Sequence, residues 1–159
     1  MSETPKPVYR ILVVDDATNI RDFLKERLTF EGHAVVQAAN GREARKMYDA
    51  QPQEIDLIIS DIDMPGEGGD GITLANYVLG LSSRPRIMLG SADMSSPLTL
   101  ANIRAMPTQP DATYEKPVDE PFFLSLCHVM QGYVRPQAPA TSTPASSPVV
   151  PSDIASLLG

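Results

Sequence analysis

The chain has 159 residues, of which 42% are hydrophobic and 21% are charged, and its formal net charge is -7. A chain of this length and composition can bury one hydrophobic core, so we expect one globular domain with further segments at its ends. The negative charge, without any cluster of lysine and arginine, argues against direct binding to nucleic acid or to an anionic membrane surface.

Cysteine use and hydropathy bear on where the protein works. The single cysteine, Cys127, excludes an internal disulfide. No apolar run approaches the roughly 20 residues that span a membrane, and residues 1–10 lack the apolar core of a signal peptide. We therefore expect a cytoplasmic protein that does not bind membranes.

Short apolar runs alternate with amphipathic segments along most of the chain, which predicts alternating strands and helices. In chain order, we predict a strand over residues 9–16, a helix over 17–32, a strand over 33–39, a helix over 40–51, a strand over 55–61, a helix over 71–81, a strand over 86–92, a helix over 97–106, a strand over 112–115 and a helix over 121–133. Five such alternations predict an α/β fold with a parallel sheet and helices on both of its faces.

Local signals support several helix ends. Thr18 is a candidate N-cap for the first helix, and Gly32 suits its C-terminal left-handed position. Asn40 and Glu43 form the capping-box pattern at the start of the second helix. Pro97 occupies the favoured first turn of the fourth helix.

Composition changes at both ends of the chain. Residues 1–8 read as a flexible N-terminus, and residues 134–159 read as a disordered tail or linker rich in proline, alanine and serine. The final residues carry Ile154, Leu157 and Leu158 on one face of a short turn, which is a candidate docking motif for a partner groove.

Polar residues follow four of the predicted strands. Asp15 and Asp16 end the first strand, Asp61 ends the third, Ser91 ends the fourth, and Lys116 follows the fifth. Each alone is often a turn former or a solvated side chain. The carboxyl ends of parallel strands meet at one edge of the sheet, so together these residues predict a site there.

Three neighbouring carboxylates repel one another, so a bound cation would stabilise their ionised forms. Hard oxygen ligands of this kind fit Mg²⁺, which also binds phosphate oxygens. The ammonium of Lys116 and the hydroxyl of Ser91 suit two further phosphoryl oxygens. A carboxylate in such a setting can act as a nucleophile and form an aspartyl phosphate.

The motifs "VVDD", "IISDIDMP", "LGSA" and "EKP", in this order on five strand–helix units, resemble the CheY-like receiver domain of two-component response regulators. The resemblance covers residues 9–133. It implies a flavodoxin-like, doubly wound (βα)5 sheet with strand order 2-1-3-4-5. It also implies a phosphorylation-dependent signalling switch, with no enzyme activity beyond phosphotransfer to itself and autodephosphorylation.

The resemblance assigns the metal ligands residue by residue. Asp16 would bind Mg²⁺ directly and Asp15 through water. Asp61 and the backbone carbonyl of Asp63 would complete the protein's share of the coordination shell.

The resemblance also assigns the phosphoryl site and its partners. Asp61 would accept the phosphoryl group from a phosphohistidine on a sensor histidine kinase or a histidine phosphotransfer protein. Ser91 and Lys116 would bind the phosphoryl oxygens, and the peptide bond between Lys116 and Pro117 would be cis. A downstream protein, unnamed by the sequence, would read the change, and a homodimer is also compatible with the family.

Two departures from the family pattern concern backbone geometry. The glycine-rich loop after Pro65 is longer than usual, so Gly69 or Gly71 would take the place of the glycine that opens the third helix. The switch aromatic normally lies three residues before the lysine, where this chain has Thr113, and Tyr114 follows one residue later. Either the strand contains a bulge or a deletion, or the coupling between Ser91 and the aromatic is weakened.

Further departures concern the surroundings of the site. Asp63 and Asp93 occupy positions where the family tunes phosphoryl lifetime, although exposed acidic residues are usually only solvated. The atypical sequence around the fifth strand makes the family's usual dimer there doubtful.

Two alternative functions remain open. An atypical receiver could act as a phosphate-independent protein-binding module. The motif formed by Asp61 and Asp63 also resembles the D-x-D of aspartyl phosphatases, but those enzymes carry it on their first strand without a preceding acidic pair. We expect no output domain in this chain.

Overall fold

The computed structural model describes residues 6–65 and 70–135. Its elements alternate in chain order as predicted: β1 (Arg10–Val14), α1 (Thr18–Phe30), β2 (Ala34–Ala38), α2 (Gly41–Ala50), β3 (Leu57–Asp61), α3 (Gly71–Leu79), β4 (Arg86–Ser91), α4 (Pro97–Arg104), β5 (Ala112–Glu115) and α5 (Glu120–Met130). The predicted residues 1–5 of the N-terminus, the loop residues 66–69 and most of the predicted tail, residues 136–159, lie outside the described part.

The five strands form one parallel sheet in the order β2-β1-β3-β4-β5, which confirms the flavodoxin-like prediction. The central strands are valine- and isoleucine-rich and buried on both faces, as parallel sheets require. One core lies between the sheet and α2, α3 and α4. The second core lies between the sheet and α1 and α5. In the described residues, no helix is both long and apolar enough to cross a membrane.

The helix ends differ from the prediction at a few positions. Thr18 is the first residue of α1 and not its N-cap, because the carboxylate of Asp15 accepts the backbone N–H of Ala17 at 2.9 Å and sets the turn. Asn40 caps α2 as predicted, since its side chain accepts the backbone N–H of Glu43 at 2.9 Å. The fourth and fifth helices end earlier than predicted, at Arg104 and Met130.

An ion pair between the buried Asp56 and the half-exposed Arg135 anchors the chain beyond α5. The carboxylate of Asp56, the residue immediately before β3, is fully buried. It accepts two hydrogen bonds from the guanidinium of Arg135, at 2.8 Å and 2.6 Å, and one from the backbone N–H of Arg10 at 2.8 Å. Burial opposes the charge on Asp56, but these hydrogen bonds outweigh it and lower the pKa of its carboxyl. Arg135 therefore belongs to the packed domain, although composition alone groups it with the tail.

We expect Arg135→Ala to lower the free energy of unfolding by about 1–3 kcal/mol at pH 7, because it leaves the buried carboxylate of Asp56 with less compensation. Asp56 has a lowered folded-state pKa, so the stability it contributes is present above its ordinary value of 3.8 and is lost as the pH falls through the folded value. The difference between the two proteins should therefore shrink under acid. Urea titrations at pH 7 and pH 3 measure it.

Lys46→Ala is the matched control, because Lys46 lies exposed on α2. It should shift the midpoint of unfolding little at either pH. Equal stability of Arg135→Ala and wild type at pH 7 would contradict the anchoring role of the pair.

Candidate functional site

Three aspartates converge at the carboxyl edge of the sheet. Asp15 and Asp16 follow β1, and Asp61 is the last residue of β3, the strand paired with β1. Carboxylate oxygens of the three residues lie within 4.8 Å of one another. Asp15 and Asp61 are buried, whereas Asp16 is exposed. The predicted convergence is therefore present.

Lys116 brings a positive charge into this cluster. Its Nζ lies 2.8 Å from Oδ2 of Asp15 and 3.2 Å from Oδ2 of Asp61. The lysine directly follows β5, and its backbone N–H donates to the carbonyl of Ser91 at 2.9 Å, which continues the pairing with β4. The peptide bond between Lys116 and Pro117 is cis, as the resemblance implied. One ammonium thus bridges the two buried carboxylates.

The surroundings of Asp61 and Lys116 raise the pKa values of both groups, with opposite effects on their ionisation at neutral pH. Burial and the negative charge of Asp15 raise the pKa of Asp61 from 3.8 to about 6, against the opposing influence of Lys116. Burial would lower the pKa of Lys116, but its hydrogen bond to Asp15 and the charge of Asp61 prevail and raise it. The lysine is therefore a fixed cation at neutral pH, and Asp61 is the carboxylate that is costly to ionise without a further cation.

Ser91 ends β4 and is buried beside the aspartates. Its hydroxyl donates to Oδ2 of Asp63 at 3.2 Å and accepts the backbone N–H of Asp93 at 3.1 Å. A serine hydroxyl has one proton to donate, and here Asp63 holds it. The side chain of Asp63 thus contacts the site directly, although the resemblance assigned a role only to its carbonyl and treated the side chain as a modulator.

Asp93 makes its side-chain hydrogen bonds with Ser95 and not with the aspartate cluster. Its Oδ1 accepts the hydroxyl of Ser95 at 2.7 Å and the backbone N–H of Ser95 at 3.0 Å. These bonds lower the pKa of the exposed Asp93 carboxyl. Its described contacts are those of a residue that shapes the turn before α4.

The two candidate switch positions lie on opposite faces of β5. Thr113 is exposed, whereas Tyr114 is buried in the core that faces α1 and α5. The pairing of β4 with β5 runs without interruption from Met88 opposite Ala112 onward, so no bulge separates the strands there. Ser91 lies on the other face by strand alternation. The structure therefore shows no bulge in this pairing, and Tyr114 and Ser91 lie on opposite faces of the sheet.

Two glycines near the site are needed for close approach. Gly71 opens α3, and a Cβ there would collide with the backbone carbonyl of Asp61. Of the two glycines proposed for this place, Gly71 has the required contact, and Gly69 lies outside the described residues. A role for Gly90 was not predicted from the sequence, although a glycine inside a buried strand often marks a site where another group approaches the backbone closely. A Cβ at Gly90 would meet the ring of Tyr114.

Comparison with known proteins gives a consistent assignment. A family model described as the response regulator receiver domain matches residues 11–120. The chemotaxis protein CheY of Bacillus subtilis is 35% identical over 98 residues, which are 61% of this chain and 78% of CheY. The probable transcriptional regulator ycf27 of Cyanidium caldarium is 45% identical over 67 residues, or 42% of this chain.

Solved structures agree. The response regulator TrrA of Thermotoga maritima, in complex with Mg²⁺ and BeF, is 31% identical and superposes with a TM-score of 0.62 over 76% of this chain and 98% of TrrA. The chain spans 26% of the length of the ycf27 regulator, and 8% and 25% of two further relatives. The receiver match, the shared fold and the aspartate cluster lead to one conclusion: this chain belongs to the family of response regulator receiver domains.

Proposed function

We propose that the domain is a phosphorylation-dependent signalling switch in which Asp61 accepts a phosphoryl group. The observation that carries this proposal is the ammonium of Lys116, held 2.8 Å from Asp15 and 3.2 Å from Asp61. A cation between two buried carboxylates suits a site whose negative charge rises further when a phosphoryl group arrives. A solvated lysine or a turn-forming aspartate would not require this geometry.

The donor in this proposal is a phosphohistidine on a sensor histidine kinase or a histidine phosphotransfer protein. A carboxylate oxygen of Asp61 attacks phosphorus, an O–P bond forms, and the P–N bond breaks as the imidazole leaves with the electron pair. Lys116 and Ser91 hold oxygens of the transferred group. Water later attacks the phosphorus, the bond between phosphorus and the Asp61 oxygen breaks, and inorganic phosphate leaves as the carboxylate is restored. The domain thus phosphorylates and dephosphorylates itself but acts on no other substrate.

The donor set fits a hard divalent cation. Asp15, Asp16 and Asp61 offer carboxylate oxygens within 4.8 Å of one another, and we assign a fourth ligand to the backbone carbonyl of Asp63. Mg²⁺ bound there would offset the repulsion among the carboxylates and the phosphoryl oxygens. The complex of TrrA with Mg²⁺ and BeF supports the same assignment for this chain.

The wider setting is proposed on the same basis. We assign residues 9–133 and the anchoring Arg135 to the receiver domain, and residues 136–159 to a tail or linker. The working partners are the phosphodonor protein and a downstream protein in the cytoplasm, with no direct nucleic-acid or membrane binding. A homodimer stays compatible with this scheme. Phosphate-independent binding is less favoured because the aspartates, Ser91 and Lys116 are all in place.

Asp61→Asn should abolish phosphorylation. Incubated with Mg²⁺ and a small phosphodonor, the wild-type chain should gain a labile adduct of one phosphoryl group, and Asp61→Asn should gain none because an amide oxygen is a poor nucleophile. Intact-mass spectrometry measures the adduct. Asp22→Asn, exposed on α1, is the matched control and should be labelled normally. Uptake by Asp61→Asn, or none by wild type, would sink the proposal.

In the absence of divalent cations, Asp61→Asn should raise the free energy of unfolding by about 1–2 kcal/mol at pH 7. The pKa of Asp61 is about 6 in the folded protein against 3.8 ordinarily, so its charge costs stability as the pH rises through this interval. The gain should shrink as the pH falls and should be nearly lost by about pH 3, below the ordinary pKa of 3.8, where the carboxyl is protonated in both states. Urea titrations with a chelator at both pH values measure it.

Mg²⁺ provides the control for this stability difference. A bound ion stabilises the folded wild type and not its asparagine variant, so saturating Mg²⁺ should reverse the order at pH 7. A wild type that is already the more stable protein without metal would show that the charge on Asp61 is compensated by Lys116 alone.

Asp63→Asn should speed phosphoryl uptake about three- to fivefold. The carboxylate of Asp63 holds the proton of Ser91 and repels the incoming group, and removing one partly exposed charge is worth up to about 1 kcal/mol. The initial rate of adduct formation at limiting phosphodonor measures the change. Asp93→Asn is the matched control, because that carboxylate is bonded to Ser95. Equal rates in both variants would contradict a role for the Asp63 side chain.

A further inference from the structure

One row of paired residues crosses the sheet beside the proposed acceptor. Asp61 of β3 is paired with Gly90 of β4, and Gly90 is paired with Tyr114 of β5. Paired residues on neighbouring parallel strands carry their side chains on the same face. Tyr114 and Asp61 therefore share a face, with only a residue that lacks a side chain between them.

Gly90 leaves a notch that the ring of Tyr114 fills. A Cβ at position 90 would collide with Cε1, Cε2 and Cζ of the ring. These atoms form the far end of the ring, so the ring reaches from β5 across β4 and does not stand upright on its own strand. No other residue type fits this position without moving the tyrosine.

The hydroxyl of Tyr114 extends beyond Cζ, in the direction of β3. Neighbouring strands lie about 4.8 Å apart, so a ring whose tip already covers β4 carries its oxygen into the space towards Asp61. A phenol is protonated at neutral pH and can donate its proton.

Helix α5 holds the ring from the other side. The rings of Tyr114 and Phe122 pack edge to face, with centroids 4.8 Å apart and planes at 74°. Phe122 is itself 3% exposed, and it packs in the same way against Phe123 with centroids 5.0 Å apart. The tyrosine is thus fixed between Gly90 and a buried aromatic cluster, which is a geometry for holding a group still.

We propose that Tyr114 is a positioning residue of the phosphorylation site: its phenol, seated in the Gly90 notch on the face of Asp61, donates a hydrogen bond to the carboxylates when the site is occupied and so orients them for phosphoryl transfer. Among the described residues, the phenol makes no hydrogen bond to Asp61 or Asp15, so this bond belongs to the occupied site. This inference rests on the proposed function. It differs from a movable aromatic that follows Ser91, because Ser91 lies on the opposite face of the sheet.

Tyr114→Phe tests the oxygen alone. It keeps the ring, so the unfolding midpoint should stay near that of wild type, and phosphoryl uptake from a small phosphodonor should slow about tenfold, the usual worth of one hydrogen bond to a charged group. Tyr48→Phe, a buried tyrosine on α2 on the other face of the sheet, should keep the wild-type rate. The uptake measurements use the full chain with saturating Mg²⁺.

Two variants separate the oxygen from the packing. Gly90→Ala should lower both the unfolding midpoint and the rate, because the ring no longer fits. Gly90→Ala combined with Tyr114→Val replaces the notch and the ring with aliphatic groups, and should recover the midpoint while uptake stays as slow as in Tyr114→Phe. Recovery of stability without recovery of rate is the result that a merely structural tyrosine would not give.

Tyrosine emission gives a spectroscopic readout, since the chain has no tryptophan and 5 tyrosines. Addition of Mg²⁺ alone should change the emission of wild type and of Tyr48→Phe, and should leave Tyr114→Phe unchanged.

Wild-type uptake rates in Tyr114→Phe or in the double variant would overturn this inference, while an adduct on Asp61 would still support the proposed function. An unchanged emission in wild type on Mg²⁺ addition would also count against it. Failure of wild type itself to form an adduct would overturn both.

Discussion

The structure depends on how repulsion among carboxylates is contained at one edge of the sheet. Asp15 and Asp61 are buried side by side, and the ammonium of Lys116 lies within 3.2 Å of both. That contact requires β5 to follow β4 in register, since β4 separates β5 from β3. The strand order is therefore the condition under which one lysine, distant in sequence, can reduce the repulsion between two aspartates that would otherwise oppose folding.

The sheet divides the surroundings of Asp61 into two unlike halves. On the face of α2, α3 and α4, the hydroxyl of Ser91 donates to the carboxylate of the exposed Asp63. On the face of α1 and α5, Tyr114 is packed into the core. The proposed acceptor, Asp61, therefore lies between a polar side that is open to solvent and a packed apolar side.

Much of the fold and the site could be predicted from the sequence because the signals are local or follow from topology. Strand composition indicates the sheet, and Asp61 and Lys116 come together because the carboxyl ends of parallel strands meet at one edge. The pairing of Gly90 with Tyr114 could not be predicted, since it depends on register between strands 24 residues apart. The bond from Ser91 to Asp63 also joins separate loops. The contact of Arg135 with Asp56 could not be predicted either, because composition groups Arg135 with the tail and the contact depends on the tertiary structure.

The ion pair between Asp56 and Arg135 also determines at which edge of the sheet residue 135, the last described residue, lies. Asp56 precedes β3 and Asp61 ends it, so the pair lies at the amino edge of the sheet, a strand length of roughly 16 Å from the acceptor. Whatever follows residue 135 starts from that distant edge. A phosphodonor of the kind proposed above would therefore approach the carboxyl edge of the sheet without meeting residue 135.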